Sequence, residues 1–202
     1  MPGICAEILE RAANCGRFVV AIAGPPGAGK STLATDLAAK LGKAVVLEMD
    51  GFHYDNAVLD QLGLRNRKGA PETFDFRGFE AIIKRIRDRE PDVAIPVFDR
   101  TIDLARAGAA LVDRRTKFIV VEGNYLLLDE DPWRQLAPCF DLSIYLDVPR
   151  DELERRLIHR WLDLGRTPEY AAHWVSTNDM PNVDRVMIFR RQADLTLNLS
   201  NR

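Results

Sequence analysis

Cysteine is scarce in this 202-residue sequence: Cys5, Cys15 and Cys139 are widely spaced, with no CxxC pair and no histidine cluster beside them. Such spacing offers neither a disulfide framework nor a zinc site, and it fits a reducing, cytoplasmic setting. Long apolar runs are missing too, because FVVAIAG and the stretch around Leu126 to Leu128 fall far short of the roughly 20 residues a membrane span needs. The opening MPGICAEILERAANCG carries Glu7, Glu10 and Arg11 where a secretory leader requires an unbroken apolar core, so no leader is expected. Neither sign of charge dominates. Twenty-eight Lys+Arg against 30 Asp+Glu give a formal net charge of -2, so no global positive field exists to hold a nucleic acid or an anionic membrane. Disorder is excluded by 47% hydrophobic and 29% charged residues, and the length of 1–202 is that of one ordinary domain.

What is present alternates between strand and helix. Ile4, Ile8, Leu9, Ala12 and Ala13 share a helical face, so an amphipathic helix ending near Gly16 is expected to dock on the domain. FVVAIA (18–23) reads as a buried strand that stops at glycines, STLATDLAAKLG as a helix closed by glycine, and KAVVLEMD as a second strand ending in Asp50. A helix between two apolar strands implies a parallel crossover, hence an α/β sheet. The stretch 51–78 is polar and broken by glycine and proline, with a turn or two of helix around Asn56 to Leu62. A connection of that length is expected to be a lid or a binding loop that touches substrate. FEAIIKRIRDR returns to helix, IPVF forms a short strand, and KFIVVEG, DLSIYLDV and ADLTLNL read as further strands. Residues 150–191 read as charged helix interrupted by Gly165 and Pro181.

The strongest motif is Gly24, Pro25, Pro26, Gly27, Ala28, Gly29, Lys30, Ser31, followed by Thr32, which satisfies G-x-x-x-x-G-K-[ST] between an expected strand and an expected helix. Glycines let successive backbone N–H groups turn inward at a helix N-terminus, where phosphate is stabilised. Lys30 is then expected to reach the β- and γ-phosphates, and Ser31 to offer a hydroxyl to Mg²⁺. A phosphate loop does not by itself say which reaction follows. A guanine-reading N-K-x-D segment is absent, and so is an LSGGQ-like signature, which leaves a small-molecule kinase. Asp50 and Glu122 end apolar strands, where α/β sheets bind ligands; one is suited to take a hydroxyl proton while the other orients Mg²⁺.

GPPGAGKS, EMDGFHYDNAVLDQLGLRNRKGAPETFD and VVEGNYLLL together resemble the uridine kinase, phosphoribulokinase and bacterial pantothenate kinase family, over nearly the whole chain. DGFH, RKGAPETFD and IPVFDR look most like its subgroup named for fructose transport systems. The resemblance implies a P-loop kinase fold with a five-stranded parallel core, ATP and Mg²⁺, and a mobile arginine-bearing lid, here about 150–180. It places the base at Asp50 and the Mg²⁺-linked acid at Glu122. His53, Phe98, Asp99 and Arg100 replace the residues with which uridine kinases read a base, and the chain ends sooner than pantothenate kinases do. A sugar such as fructose is therefore the leading acceptor, with pantothenate or a nucleoside as alternatives. A nucleotide-binding regulator or slow ATPase is the reading from a different class.

Other candidates follow from chemistry. His53 can hold the base or meet a substrate hydroxyl; Arg65, Arg67 and Lys68 form a positive cluster; Asp99 and Arg100 can contact substrate or pair with each other. In DELERRLIHRWLDLGR, Leu153, Leu157, Trp161 and Leu164 define an apolar face, and Arg156 and Arg160 are the lid arginines expected to reach the γ-phosphate. The three tryptophans are read as packing residues. The expected partners are ATP and a hydroxyl acceptor, and the family's range of assemblies admits a homodimer.

Overall fold

The computed structural model describes residues 2–199, so 1 and 200–202 of the expected 1–202 domain lie outside the described residues. The strands are β1 (Phe18–Ala23), β2 (Ala44–Glu48), β3 (Val93–Asp99), β4 (Leu104–Val112), β5 (Phe118–Gly123), β6 (Leu142–Asp147) and β7 (Leu195–Asn198). The helices are α1 (Pro2–Arg11), α2 (Lys30–Leu41), α3 (Asn56–Leu62), α4 (Phe76–Arg87), α5 (Arg150–Asp163), α6 (Pro168–Trp174) and α7 (Met180–Phe189). Five strands pair in parallel in the order β2-β5-β1-β6-β7, while β3 and β4 form a separate antiparallel ribbon.

Strand periodicity divides the core into two layers. Val19, Ala21 and Ala23 of β1 point to one face with Ile119 and Val121 of β5, where α4 and the chain leaving β5 cover them. Phe18, Val20 and Ile22 point to the other, against α1, α2, α5 and α7. On the first face Trp133 is fully buried, and its ring lies 5.4 to 6.3 Å from those of Phe74, Phe76, Phe79 and Tyr125. That cluster anchors the 51–78 segment and α4 to the segment that follows β5. Truncating such a core aromatic to Ala costs about 3–5 kcal/mol.

Several expectations are corrected. α1 ends at Arg11 rather than near Gly16, and it docks through Ile4, Ile8 and Ala12 while Leu9 and Ala13 stay exposed. Strand β2 stops at Glu48, and Asp50 sits beyond it on a 3-10 turn, Met49–Phe52. Leu104–Val112, unread in the sequence, forms β4; its small residues and outward faces carry little periodic signal. Leu164 lies past the end of α5 and is exposed. Pro181 does not interrupt the helical run: Val175–Asp179 form a π turn, in which Met180 donates to the Val175 carbonyl, and Pro181 follows in the first turn of α7. A proline interrupts a helix by lacking a donor and by crowding the preceding turn, and the wider π turn accommodates both. Gly165, with φ 76°, does mark the break between α5 and α6. Among the described residues, no helix is long and apolar enough to cross a membrane.

Candidate active site

The loop between β1 and α2 turns at Gly27 (φ 80°) and Gly29 (φ 91°), left-handed conformations that bulkier residues rarely adopt. Gly27 also has α5 against it, since a side chain there would begin 3.3 Å from Leu157. The turn puts Lys30 and Ser31 at the start of α2, on the wall of an open cleft of about 360 Å³. Pro26, Gly27, Gly29 and Thr32 line it too. Lys30 is buried, donating from Nζ to the Pro25 carbonyl at 2.9 Å. Burial lowers it to about 8, against the pull of Glu122 and Asp50.

The same cleft is lined by Asp50 from the 3-10 turn after β2, by Glu122 near the end of β5, and by Arg156 and Arg160 from α5. Ser31 donates its hydroxyl to Glu122 Oε1 at 2.9 Å. Glu122 is only 3% exposed; burial pushes its carboxyl up, and Asp50 and Glu48 add to this against Lys30 and Ser31. Burial pushes Asp50 up as well, but His53, Arg100 and Lys30 outweigh it and hold it below the ordinary carboxylate range. Because burial keeps His53 toward its neutral form, Arg100 and Lys30 supply that stabilisation at neutral pH.

Of the α5 arginines, Arg150 and Arg155 pair with Asp184 and Glu152 away from the cleft. Arg156 pairs with Glu152 at 2.6 Å and reaches the Gly27 carbonyl at 3.4 Å, so it lies against the phosphate loop. Arg160 faces Arg100, Asp50 and Asp179 without a hydrogen bond to any of them. Trp161 donates from Nε1 to Asp179 at 2.8 Å, fastening α5 to the π turn.

The remaining candidates belong to the 51–78 segment and the β3–β4 ribbon. His53 donates from Nδ1 to the Asp50 carbonyl at 2.9 Å, with its ring against Phe74 and Phe98. Arg100 pairs with Asp50 at 3.0 Å rather than with Asp99, which instead accepts from Thr101 and pairs with Arg106 at 3.4 Å. Lys68 is tied to Asn56 and Asp103 and stands over Phe98, joining the 51–78 segment to the ribbon. Arg65 pairs with Asp60 on the surface, outside the cleft lining. Three residues escaped the sequence reading. Asn124 lines the cleft immediately after Gly123, and its place beside the Glu122 strand end was the available signal. Glu48 joins the carboxylate group electrostatically, and Asn178, on the π turn, donates to the Lys68 carbonyl at 2.9 Å.

A phosphate loop sharing a cleft with a strand-end carboxylate, a second carboxylate on the turn after β2 and helix-borne arginines is the arrangement phosphoryl transfer requires. The sequence profile of the Phosphoribulokinase / Uridine kinase family matches residues 19–196. The chain belongs to that family. It is thus an ATP-dependent phosphotransferase, and the kinase has informative relatives. It is 45% identical, with a TM-score of 0.92, to a crystal structure from Silicibacter sp. TM1040 described as a "putative fructose transport system kinase", covering 96% of this chain and 97% of that one. It is 35% identical over 182 residues to the "Putative uridine kinase C227.14" of Schizosaccharomyces pombe, spanning 83% of this chain and 77% of the relative. It is 30% identical over 192 residues to the pantothenate kinase of Corynebacterium aurimucosum, covering 91% of this kinase but 62% of the relative.

Proposed function

We propose that the kinase transfers the γ-phosphoryl group of ATP to a hydroxyl of a small polyhydroxylated metabolite, a sugar such as fructose, with Asp50 as the base. The observation that supports this most is Asp50 itself, an ionised carboxylate on the cleft wall opposite the phosphate loop. In the step, the acceptor O–H proton passes to Asp50, an oxygen–phosphorus bond forms at the γ-phosphorus, and the bond to the β–γ bridging oxygen breaks, leaving ADP. Lys30, Arg156 and Arg160 oppose the charge on the transferring group, and the lid of about 150–180, α5 and α6, excludes water.

The donor set fits Mg²⁺. Ser31 and Glu122 present hard oxygens to one point, and burial, with Asp50 and Glu48, pushes the Glu122 carboxyl up despite Lys30, so a cation there would stabilise its ionised form. Once bound, the ion neutralises charge on the phosphate oxygens. The name of the Silicibacter structure supports a sugar as acceptor, and the Corynebacterium relative supports pantothenate as the second reading. Free Cys5, Cys15 and Cys139 support a cytoplasmic setting. The test is ADP release with ATP and Mg²⁺ across sugars, polyols, nucleosides and pantothenate, with product mass confirmed. Stimulation by one class identifies the acceptor, whereas nucleotide binding without stimulation by any class favours a regulator or slow ATPase.

A further inference from the structure

Arg160 lines the cleft, yet among the described residues its side chain makes no hydrogen bond. Two carboxylates face it, Asp50 on the turn after β2 and Asp179 on the π turn, and Arg100 repels it. Asp50 already accepts from Arg100 at 3.0 Å, and in the reaction proposed above it takes up a proton and loses its charge. Asp179 takes no part in that transfer, so it can face Arg160 throughout the step. Its carboxylate is fixed from two directions. Trp161, the residue after Arg160, donates from Nε1 to Asp179 Oδ2 at 2.8 Å, and its ring meets those of Tyr170 and Trp174 edge to face at 5.9 and 5.6 Å. Asn178, the residue before Asp179, is buried and donates to the Lys68 carbonyl at 2.9 Å, which ties the π turn to the 51–78 segment. Such turns are rare and concentrate at functional sites.

Asp179 Oδ1, by contrast, accepts no hydrogen bond among the described residues, and burial pushes the carboxyl up against the pull of Trp161 and Arg160. A second donor there would stabilise its ionised form. We propose that Asp179 is a positioning residue: held by Trp161 through Oδ2, it takes the Arg160 guanidinium on Oδ1 and aims it at the γ-phosphate. The proposal rests on the phosphotransfer reading above, but on no particular acceptor. A guanidinium carries five donors in a rigid fork, so one edge can meet Asp179 while another meets phosphate. An exposed arginine without a partner loses side-chain freedom when it engages the nucleotide, and a fixed carboxylate removes part of that loss beforehand. Arg156 has such a partner on its own helix, since it donates to Glu152 at 2.6 Å. Asp179 gives Arg160 the same support from a different element.

The test needs no acceptor. Calorimetry in the presence of Mg²⁺ gives Kd for ADP and for the β,γ-imido analogue of ATP, and their ratio isolates what the γ-phosphate adds within one protein. A merely structural defect lowers the binding stoichiometry or both affinities, not their ratio. Arg160→Met should reduce the preference for the analogue by about 10-fold to 100-fold, as loss of a charge-assisted hydrogen bond implies. Asp179→Asn should reduce it by about 3-fold to 10-fold, and by nothing further when added to Arg160→Met. The sign is informative, because removing a negative charge would by itself strengthen phosphate binding. Trp161→Phe, which deletes the N–H and keeps a ring against Tyr170 and Trp174, should act in the same direction as Asp179→Asn. A preference in Asp179→Asn equal to or above that of wild type, or a loss repeated in full on top of Arg160→Met, overturns the proposal and leaves the kinase reading intact. A wild-type protein that binds neither nucleotide overturns the phosphotransfer reading and the proposal with it.

Discussion

Ser31, in the first turn of α2, donates its hydroxyl to Glu122 of β5, which lies 91 residues further along the chain. The contact joins the phosphate loop to the strand-end carboxylate and brings two hard oxygens together where burial disfavours a free negative charge. The pair therefore carries a cost in the nucleotide-free protein.

Glu122→Gln should expose that cost. A carboxyl whose pKa is raised by folding contributes fully below its unfolded value and is progressively lost as pH rises toward its folded value. At neutral pH the substitution removes the penalty, so the nucleotide-free variant should melt higher than wild type. Its turnover should fall at least ~100-fold, and half-maximal activity should need more Mg²⁺. A lower melting temperature with an unchanged Mg²⁺ titration would remove Glu122 from the ion's ligand set.

Lys30 obeys the same logic with opposite charge. Burial brings it to about 8, so the unfolded chain holds the proton more tightly and stability should rise with pH between about 8 and 10.5. Lys30→Met should abolish nucleotide binding yet stabilise the free protein at pH 7 by up to roughly 3 kcal/mol, with the gain shrinking at pH 10. Calorimetry of both proteins across that range checks the sign.

Asp50→Asn should preserve nucleotide affinity and lower turnover by about 10²- to 10⁴-fold. Because Arg100 and Lys30 depress the wild-type Asp50, its acid limb should appear only below the ordinary carboxylate range. Nucleotide titration beside a pH series of ADP release measures both. Unchanged turnover in the variant would eliminate Asp50 as the base.

Gly51→Ala tests how Asp50 is held. A side chain there would begin 2.9 Å from the Pro96 carbonyl oxygen and 3.1 Å from its carbon, backbone atoms that cannot rotate away. The variant should lose about 1–3 kcal/mol of stability, and its turnover should fall because the turn bearing Asp50 shifts. Wild-type melting and turnover would show that β3 yields freely.

The phosphate loop was legible because all its groups lie within eight residues, and their geometry follows from local backbone freedom and the helix start. The parallel sheet was legible for a related reason: fully buried strands appear as continuous apolar runs. Position along a strand end was less secure. The same KAVVLEMD that announced β2 did not reveal that the strand stops at Glu48 and that Asp50 turns on a 3-10 helix beyond it.

Which arginine meets which carboxylate could not be read from the chain. Four of the five arginines from 150 to 166 lie on α5 with similar acidic neighbours, and only packing of α5 against Gly27 selects Arg156 and Arg160 for the cleft. Asp99 and Arg100 are adjacent in sequence yet take different partners, because the ribbon turn aims one toward Arg106 and the other toward Asp50, 50 residues away. Asn178 meets the Lys68 carbonyl across 110 residues, a contact that no local pattern encodes. Sequence alone determined the fold class and the chemistry of the loop, since these depend on periodicity and on neighbouring backbone. The pairing of the charges around Asp50 was decided by tertiary structure, because long side chains take their direction from whatever the packed elements bring within reach.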